Sequence, residues 1–414
     1  MKFTKIKNCR LCKSTKIKRL IDFGSIACSS TFPLKKSNYN KITPMIFCIC
    51  DECKLAQLLH NYNLKQLYND NYGYKSGVNE SMVKHLNGIT NDIKKTVDFK
   101  KGDFVLDIGS NDATLLKTFN SSKLNYVGID PTIKRFKKFY PKKFKTKSTF
   151  FSKKLFLNLS GGKKAKAITS IAVFYDIINP GKFISEIKSV LHEDGIYVME
   201  QSYLPILLKN NAYDSICHEH LTYFTLKQIK YLCKENDLKI FRVSLNEMYG
   251  GSIKVFICNK DADFKVDLRS IKKCSNLERQ YVNKKGFNYF KAKIKSLSIK
   301  LNQIIKKIKK DKKIIHVCAA STKGNITLQY SKIDKSHISY ASDRNPSKWN
   351  RKMPGSNIPI ISEETSRSLK PDYYLVLPWH FKKEFIKREK KFLSSGGKLI
   401  FPLPKIEIIF KKKL

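Results

Sequence analysis

The chain has 414 residues, 42% of them apolar and 12% aromatic, which is enough to build several cores and too much for one. Lys and Arg number 81 against 34 Asp and Glu, a formal net charge of +47. This composition excludes a globally disordered chain, and no apolar run approaches the roughly 20 residues of a membrane span. The opening residues MKFTKIKNCR lack the apolar core of a signal peptide, so the expectation is a cytoplasmic protein with no membrane span. The lysines are spread along the whole chain, and Lys far outnumbers Arg, the residue suited to bidentate phosphate and base contacts. The charge therefore reads as a solvated surface, and no specific nucleic-acid partner is expected. Eleven cysteines without a secretory leader argue against a disulfide framework.

From the N-terminus, Cys9-Arg-Leu-Cys12 and Cys50-Asp-Glu-Cys53 are two CxxC pairs separated by 37 residues. Two thiolate pairs on tight knuckles suit tetrahedral zinc, and four thiolates leave no open position, so a structural zinc is expected. Cys48 would make an alternative CxC with Cys50, but the matched spacing favours Cys50 and Cys53 as the second pair.

Phe104-Val-Leu-Asp-Ile-Gly-Ser-Asn-Asp112 reads as a buried strand running into a Gly turn, with a helix from Leu115. Tyr126-Val-Gly-Ile-Asp130 is a second strand ending in an acid, placed to accept ribose hydroxyls. Strands over 167–173 and 196–200 follow, implying a doubly wound α/β sheet with its ligand over the carboxyl ends of the strands. The first loop is not GxGxxG, which disfavours a dinucleotide; D-x-G-x-N-D followed by G-x-D resembles the class I methyltransferase pattern.

Cys217-His-Glu-His220 admits three readings. His218 and His220 could be metal ligands on a strand, His and Glu could form an acid/base unit, or all could be structural polar groups. Residues 277–312 read as a Lys-rich amphipathic helix connecting two halves. Beyond it, residues 312–325 form another strand, small-residue loop and helix. Further strands before Asp343 and Pro378 make a second Rossmann-like domain.

Across the chain, Asp107-Ile-Gly-Ser-Asn-Asp112, Glu200-Gln-Ser-Tyr203, Tyr213-Asp-Ser-Ile-Cys-His-Glu-His220 and Gly250-Gly-Ser-Ile-Lys-Val255 stand in order. Ser321-Thr-Lys-Gly-Asn325, Asp343-Arg-Asn-Pro346, Pro354-Gly355, Ile358-Pro359 and Pro378-Trp-His-Phe381 continue the series. Together with the CxxC pairs these resemble the three-domain S-adenosylmethionine (SAM)-dependent sugar C-methyltransferases, which act on nucleotide-linked keto-deoxysugars. The resemblance implies a zinc-binding module (1–75), a class I SAM-dependent methyltransferase domain (76–260), a helical connector (261–312) and a Rossmann-like nucleotide-sugar-binding domain (313–414).

It also implies SAM contacts by Asp107, Gly109, Asn111, Asp112, Asp130 and Glu200, and substrate contacts by Lys323, Asn325 and Arg344. The His-Glu-His unit supplies the implied base of an enolate route, with the second histidine matching His220, and the sequence does not decide between His220 and His218. Glu219 is the acidic neighbour, and Tyr72 or Tyr74 belongs to the lid segment. Some members have a tyrosine at the position of Cys217 and a histidine near Asp176, so those roles do not carry over. Ala113 stands where glycine is usual, tolerable at negative φ. Two rival functions are a methyltransferase with another acceptor, through sugar O-methylation or a non-sugar substrate, and a basic zinc-containing nucleic-acid-binding protein. The sequence does not give the oligomeric state.

Overall fold

The computed structural model describes residues 1–34, 42–68 and 72–411. Among these, no helix is long and apolar enough to cross a membrane.

The N-terminal part is built on an antiparallel sheet of Ile17–Ala27, Ile42–Cys50 and Ala56–Leu58. A fourth strand completes it from far along the chain. Thr222–Tyr223, just after Cys217-His-Glu-His220, pairs antiparallel with Ala56–Leu58, Thr222 opposite Gln57 and Tyr223 opposite Ala56. Each CxxC ends in a left-handed residue, Lys13 (φ 64°) and Lys54 (φ 59°), whose N–H returns to the carbonyl of the first cysteine. Two equivalent knuckles therefore face each other. Buried Arg10 pins the first one to the sheet, donating to the Leu58 and His60 carbonyls at 2.6 and 2.9 Å.

The sulfurs of Cys9, Cys12, Cys50 and Cys53 all lie within 4.8 Å of one another, with Cys9–Cys53 and Cys12–Cys50 at 3.5 Å. Zn–S bonds of about 2.3 Å imply tetrahedral edges of about 3.8 Å, so this donor set fits zinc. Cys48 is turned away: its thiol donates to the Gln57 carbonyl at 3.1 Å, and burial pushes it up to about 12.

The central sheet has seven strands in the order Leu238–Asn246, Ser252–Asn259, Leu191–Ser202, Ala165–Ile171, Phe104–Ile108, Asn125–Ile129 and Lys145–Lys147. The five from Leu191–Ser202 onward pair in parallel, and Ser252–Asn259 runs antiparallel between its two neighbours. The first strand in sequence, Phe104–Ile108, is central, so the chain winds outward from it in both directions. The crevice at its carboxyl end is the switch point where such sheets bind ligands. The α/β sheet expected from the sequence is present.

The C-terminal sheet repeats this logic. Its order is Ile360–Ile361, Tyr340–Ser342, Ile315–Cys318, Tyr373–Val376, Lys398–Phe401, Glu407–Ile409, parallel except for the last strand. In sequence order this is 3-2-1-4-5-6, the Rossmann arrangement, with the switch point beside Ile315–Cys318.

Two helices, Leu268–Tyr281 and Lys284–Lys310, join the halves. The second is more than a solvated connector. Phe287, Phe290, Ile294 and Leu297 pack in a core shared with Ile21 and Phe23 of the N-terminal sheet. Leu301, Ile305 and Ile308 pack in the core of the C-terminal sheet. The 3–4 spacing of these residues puts them on one face.

One zinc per chain is expected by elemental mass spectrometry of the purified protein. Cys53→Ser should lower the zinc content well below stoichiometric, and Cys48→Ser should leave it unchanged. Full zinc in Cys53→Ser would remove Cys53 from the ligand set.

Candidate active site

The carboxyl ends of both sheets open onto one cavity of about 630 Å³. From the central sheet it is lined by Asp107, Gly109, Ser110, Asn111, Asp130 and Thr132, and across the crevice by Ala172 and Val173. From the C-terminal sheet come Ser321 to Lys323, Asp343 to Asn345, Leu377 and Pro378. The tyrosine segment 72–75 and Cys217, Glu219 and His220 close it between them.

On the crevice side, Gly109 has φ +77°, and a Cβ there would meet Val173 Cγ2 at 2.3 Å, so only glycine lets the turn pass. Asp130 closes the next strand. Its Oδ2 accepts from the Asn111 amide at 3.0 Å and its Oδ1 from the Thr132 amide at 2.6 Å, which fixes the carboxylate at the mouth of the crevice. Burial raises the Asp130 carboxyl, and it pushes Asp107, held by Thr169 Oγ1 at 2.7 Å, up to about 7. A glycine turn with a fixed acid on the adjacent strand fits a nucleoside-bearing cofactor.

Two residues expected at the cofactor take other positions. Asp112 does not line the cavity; its Oδ2 accepts from the Gly77 amide at 3.0 Å. Asn111 Oδ1 accepts from the Ser76 amide at 3.0 Å, so the two side chains tie the tyrosine segment to the glycine turn. Glu200 is fully buried away from the cavity, held by His85 at 2.6 Å and Asn246 at 2.9 Å.

The Cys217–His220 turn is anchored on both sides. The Leu221 amide and Thr222 hydroxyl both donate to the Tyr175 carbonyl, at 2.9 and 3.1 Å. The His220 ring lies 3.9 Å from that of Tyr175, and its Nδ1 is 2.7 Å from the Ser215 carbonyl. A carbonyl only accepts, so Nδ1 carries the proton and the Nε2 lone pair is free among the described residues. Burial, then the charge of Lys323, lowers His220 to about 3. The ring is a neutral acceptor at working pH. His218 does not reach the cavity. It is fully buried with neither ring nitrogen partnered among the described residues, edge-on to Tyr62 at 4.9 Å, and burial lowers it to about 3.

Glu219 lines the cavity with one oxygen on Ser29 Oγ at 3.2 Å and the other unpartnered among the described residues. Two acids to which the sequence gave no role stand with it. Asp176 takes the Tyr68 hydroxyl at 2.6 Å, and Asp214 takes Trp379 Nε1 at 2.9 Å. Each keeps one buried oxygen unpartnered among the described residues, and burial raises both carboxyls. His380 also lines the cavity, lowered to about 3 by burial. Asp214 and His380 lie inside motifs quoted above, the signal that could have marked them. Tyr72 and Tyr74 both line the cavity: Tyr72 packs on Tyr68 at 5.1 Å, and the Tyr74 phenol bonds that of Tyr249.

Of the residues expected at the substrate, Lys323 and Arg344 line the cavity, and Arg344 pairs with Glu363 at 3.2 Å. Asn325 is buried behind it, donating to the Ser29 carbonyl at 2.6 Å.

Three family models match in chain order. Residues 9–68 match a zinc binding domain, 86–243 a methyltransferase domain and 247–404 the C-methyltransferase C-terminal domain. The chain is a SAM-dependent methyltransferase. It is 26% identical over 408 residues to the C-methyltransferase NovU of Streptomyces niveus, covering 98% of this chain and 97% of that one. Among solved structures it is similar to the magnesium protoporphyrin IX methyltransferase ChlM of Synechocystis PCC 6803 with bound SAM, at 12% identity and a TM-score of 0.34, over 47% of this chain and 89% of that one. It is also similar to the plantazolicin methyltransferase BpumL, at 14% identity and a TM-score of 0.33, over 42% and 83%.

Ala113 carries one correction to the sequence reading. Its φ is +63°, a left-handed conformation that strains a Cβ by roughly 1–2 kcal/mol. Ala113→Gly is expected to raise unfolding stability by about 0.5–1 kcal/mol, the lost methyl offsetting part of the relief. A fall in the urea midpoint would refute this.

His218 gives a pH test. Its pKa is lowered to about 3 from 6.5, so the stability of its neutral ring is fully present above pH 6.5 and declines as pH falls toward 3. His218→Phe removes that titration. Between pH 6.5 and 5 the wild type should lose stability relative to the variant, by about 1.4 kcal/mol per pH unit. A gap between the two denaturation curves that stays constant with pH would show that the ring titrates freely.

Proposed function

We propose that this enzyme methylates a carbon of a nucleotide-linked keto-deoxysugar, with His220 as the base that forms an enolate. The observation that carries the reading is the free Nε2 lone pair of a neutral His220 in a cavity shared by two sheet switch points. One switch point would hold the cofactor and the other the nucleotide of the substrate.

Carbon becomes nucleophilic only when a proton beside a carbonyl is removed. Nε2 of His220 takes that proton, the C–H pair enters the ring carbon–carbon bond, and the carbonyl π pair moves to oxygen. The Ser215 carbonyl, fixed on Nδ1–H, stabilises the imidazolium that results. Bound SAM supplies an electrophilic methyl on a sulfonium that leaves as a neutral thioether. Asp107, Gly109, Asn111 and Asp130 line the crevice that would hold it. Tyr72 and Tyr74 would cover the reacting centre, held by Asn111 and Asp112 through Ser76 and Gly77. Glu219, Asp176 and Asp214 would accept from the sugar's hydroxyl or amino groups with their free oxygens. Arg344, beside the C-terminal switch point, suits the diphosphate.

Incubation with SAM and a panel of nucleoside-diphosphate-linked 4-keto-6-deoxyhexoses, read by mass spectrometry, tests this. A product one methylene heavier is expected with wild type, and none with His220→Ala. Product from both proteins would keep the activity and remove His220 as base. No product from any sugar, with cofactor bound, would move the acceptor to another class.

A further inference from the structure

Ser215 holds two of the groups in the cavity at once. Its carbonyl accepts from His220 Nδ1 at 2.7 Å, and its hydroxyl accepts from Lys323 Nζ at 3.0 Å. Lys323 comes from the other domain: it follows the Ile315–Cys318 strand and caps the Gly324–Tyr330 helix. Its other hydrogen-bond acceptor among the described residues is the Tyr249 carbonyl, also at 3.0 Å. An ammonium has three N–H donors, and here two go to neutral oxygens. No ion pair to Lys323 within 4 Å occurs among the described residues; Asp214 and Asp176 act on it through space, each with one oxygen on Trp379 or Tyr68. The C-terminal domain thus places a cation with no carboxylate in direct contact, and with one N–H to spare, on the residue that orients the base.

We propose that Lys323 is a catalytic residue that binds the carbonyl oxygen of the acceptor and takes up its negative charge as His220 removes the α-proton. This rests on the enolate reading above and adds its electrophile. The bookkeeping closes within the site: the α-C–H bond breaks, the proton passes to His220 Nε2, and the carbonyl oxygen gains the pair opposite Lys323 Nζ. When the new carbon–carbon bond forms, the pair returns and the carbonyl is restored. Burial lowers the Lys323 ammonium below the usual lysine range, so the free site disfavours an uncompensated cation. An oxyanion formed beside it gains most where water is excluded. Burial holds His220 unprotonated before substrate binds, and the same charge adds to it. A lysine that merely grips the diphosphate would have no reason to sit on Ser215.

The test is α-carbon deuterium exchange in D2O with the same panel of keto sugars and with S-adenosylhomocysteine bound, so that methyl transfer is not needed. It compares wild type, Lys323→Met and Lys323→Arg. Calorimetric binding of S-adenosylhomocysteine confirms that each variant is folded. Lys323→Met should cut the exchange rate at saturating sugar by about 10²–10³, the usual cost of removing one oxyanion donor, with KM within a few-fold. Lys323→Arg, which keeps the charge, should recover part of it. Exchange in Lys323→Met at the wild-type rate, with only KM raised, would make Lys323 a diphosphate ligand and overturn the proposal. An arginine variant as slow as the methionine variant, with cofactor binding intact, would overturn it too, because the charge would not be what matters. Absence of exchange in wild type with every sugar would instead sink the enolate reading, and this proposal with it.

Discussion

A two-residue strand pairing fixes the geometry of the site. Thr222 and Tyr223 add to the edge of the zinc module, and the Leu58 amide bonds the Leu221 carbonyl at 2.9 Å. These hydrogen bonds contribute about 1 kcal/mol each at most. Leu221 and Tyr223 are buried in the core that the module shares with the connector helix and the C-terminal sheet. Each such side chain contributes roughly 1.5–3 kcal/mol. Burial therefore supplies the strength of the docking and the backbone pairing supplies its register. A slip of one residue would turn Tyr223 out of the core. Register matters because His220 stands two residues upstream. The first cysteine knuckle reaches this pairing through Arg10, which donates to Gln57, opposite Thr222. The methyltransferase helix answers, with Gln228 donating to the Cys53 carbonyl at 2.9 Å.

The same economy of contacts links the third domain. Asn325 bonds Ser29, and Ser29 bonds Glu219, so a C-terminal residue reaches the neighbour of His220 through the zinc module. Gln329 bonds both backbone groups of Ala27, two residues before Ser29. Neither residue touches the cavity, yet each fixes a wall of it. Two sheets whose switch points face one another can hold two ligands with their reactive ends together, provided the domains do not slide. These bonds and the shared apolar core resist that sliding.

The architecture was legible because it is written in local patterns. Apolar strands ending in Asp107 or Asp130, and paired cysteines at matched spacing, announce themselves without tertiary knowledge. The identity of the cavity wall was less so. Asp112, Glu200 and Asn325 sit in the quoted motifs, but their side chains face a lid backbone, a histidine on a neighbouring helix and another domain. A motif shows that a residue type is required there and not what it touches. Asp176 and Asp214 went unread for the converse reason. Acids one strand or one turn away from the Cys217–His220 turn carry no local periodicity, and only the fold brings them to one cavity. Ala113 depended on a backbone angle that the sequence left open.

Charge separates what is global from what is local. A formal +47 could be thought to hold His220 neutral and draw an anionic substrate by itself. Screening at physiological salt limits an exposed charge to about 8 Å, so most surface lysines cannot reach the imidazole. Lys323 can, because it is partly buried and fixed on Ser215, whose carbonyl orients the ring. The acids work against the surface in the same way: Glu219, Asp176 and Asp214 are among the carboxyls that face a cavity inside an otherwise basic molecule. The field inside the cavity is therefore set more by the groups that line it than by the surface lysines. A variant stripped of a dozen surface lysines should differ from wild type in solubility and encounter rate far more than in the proton transfer itself.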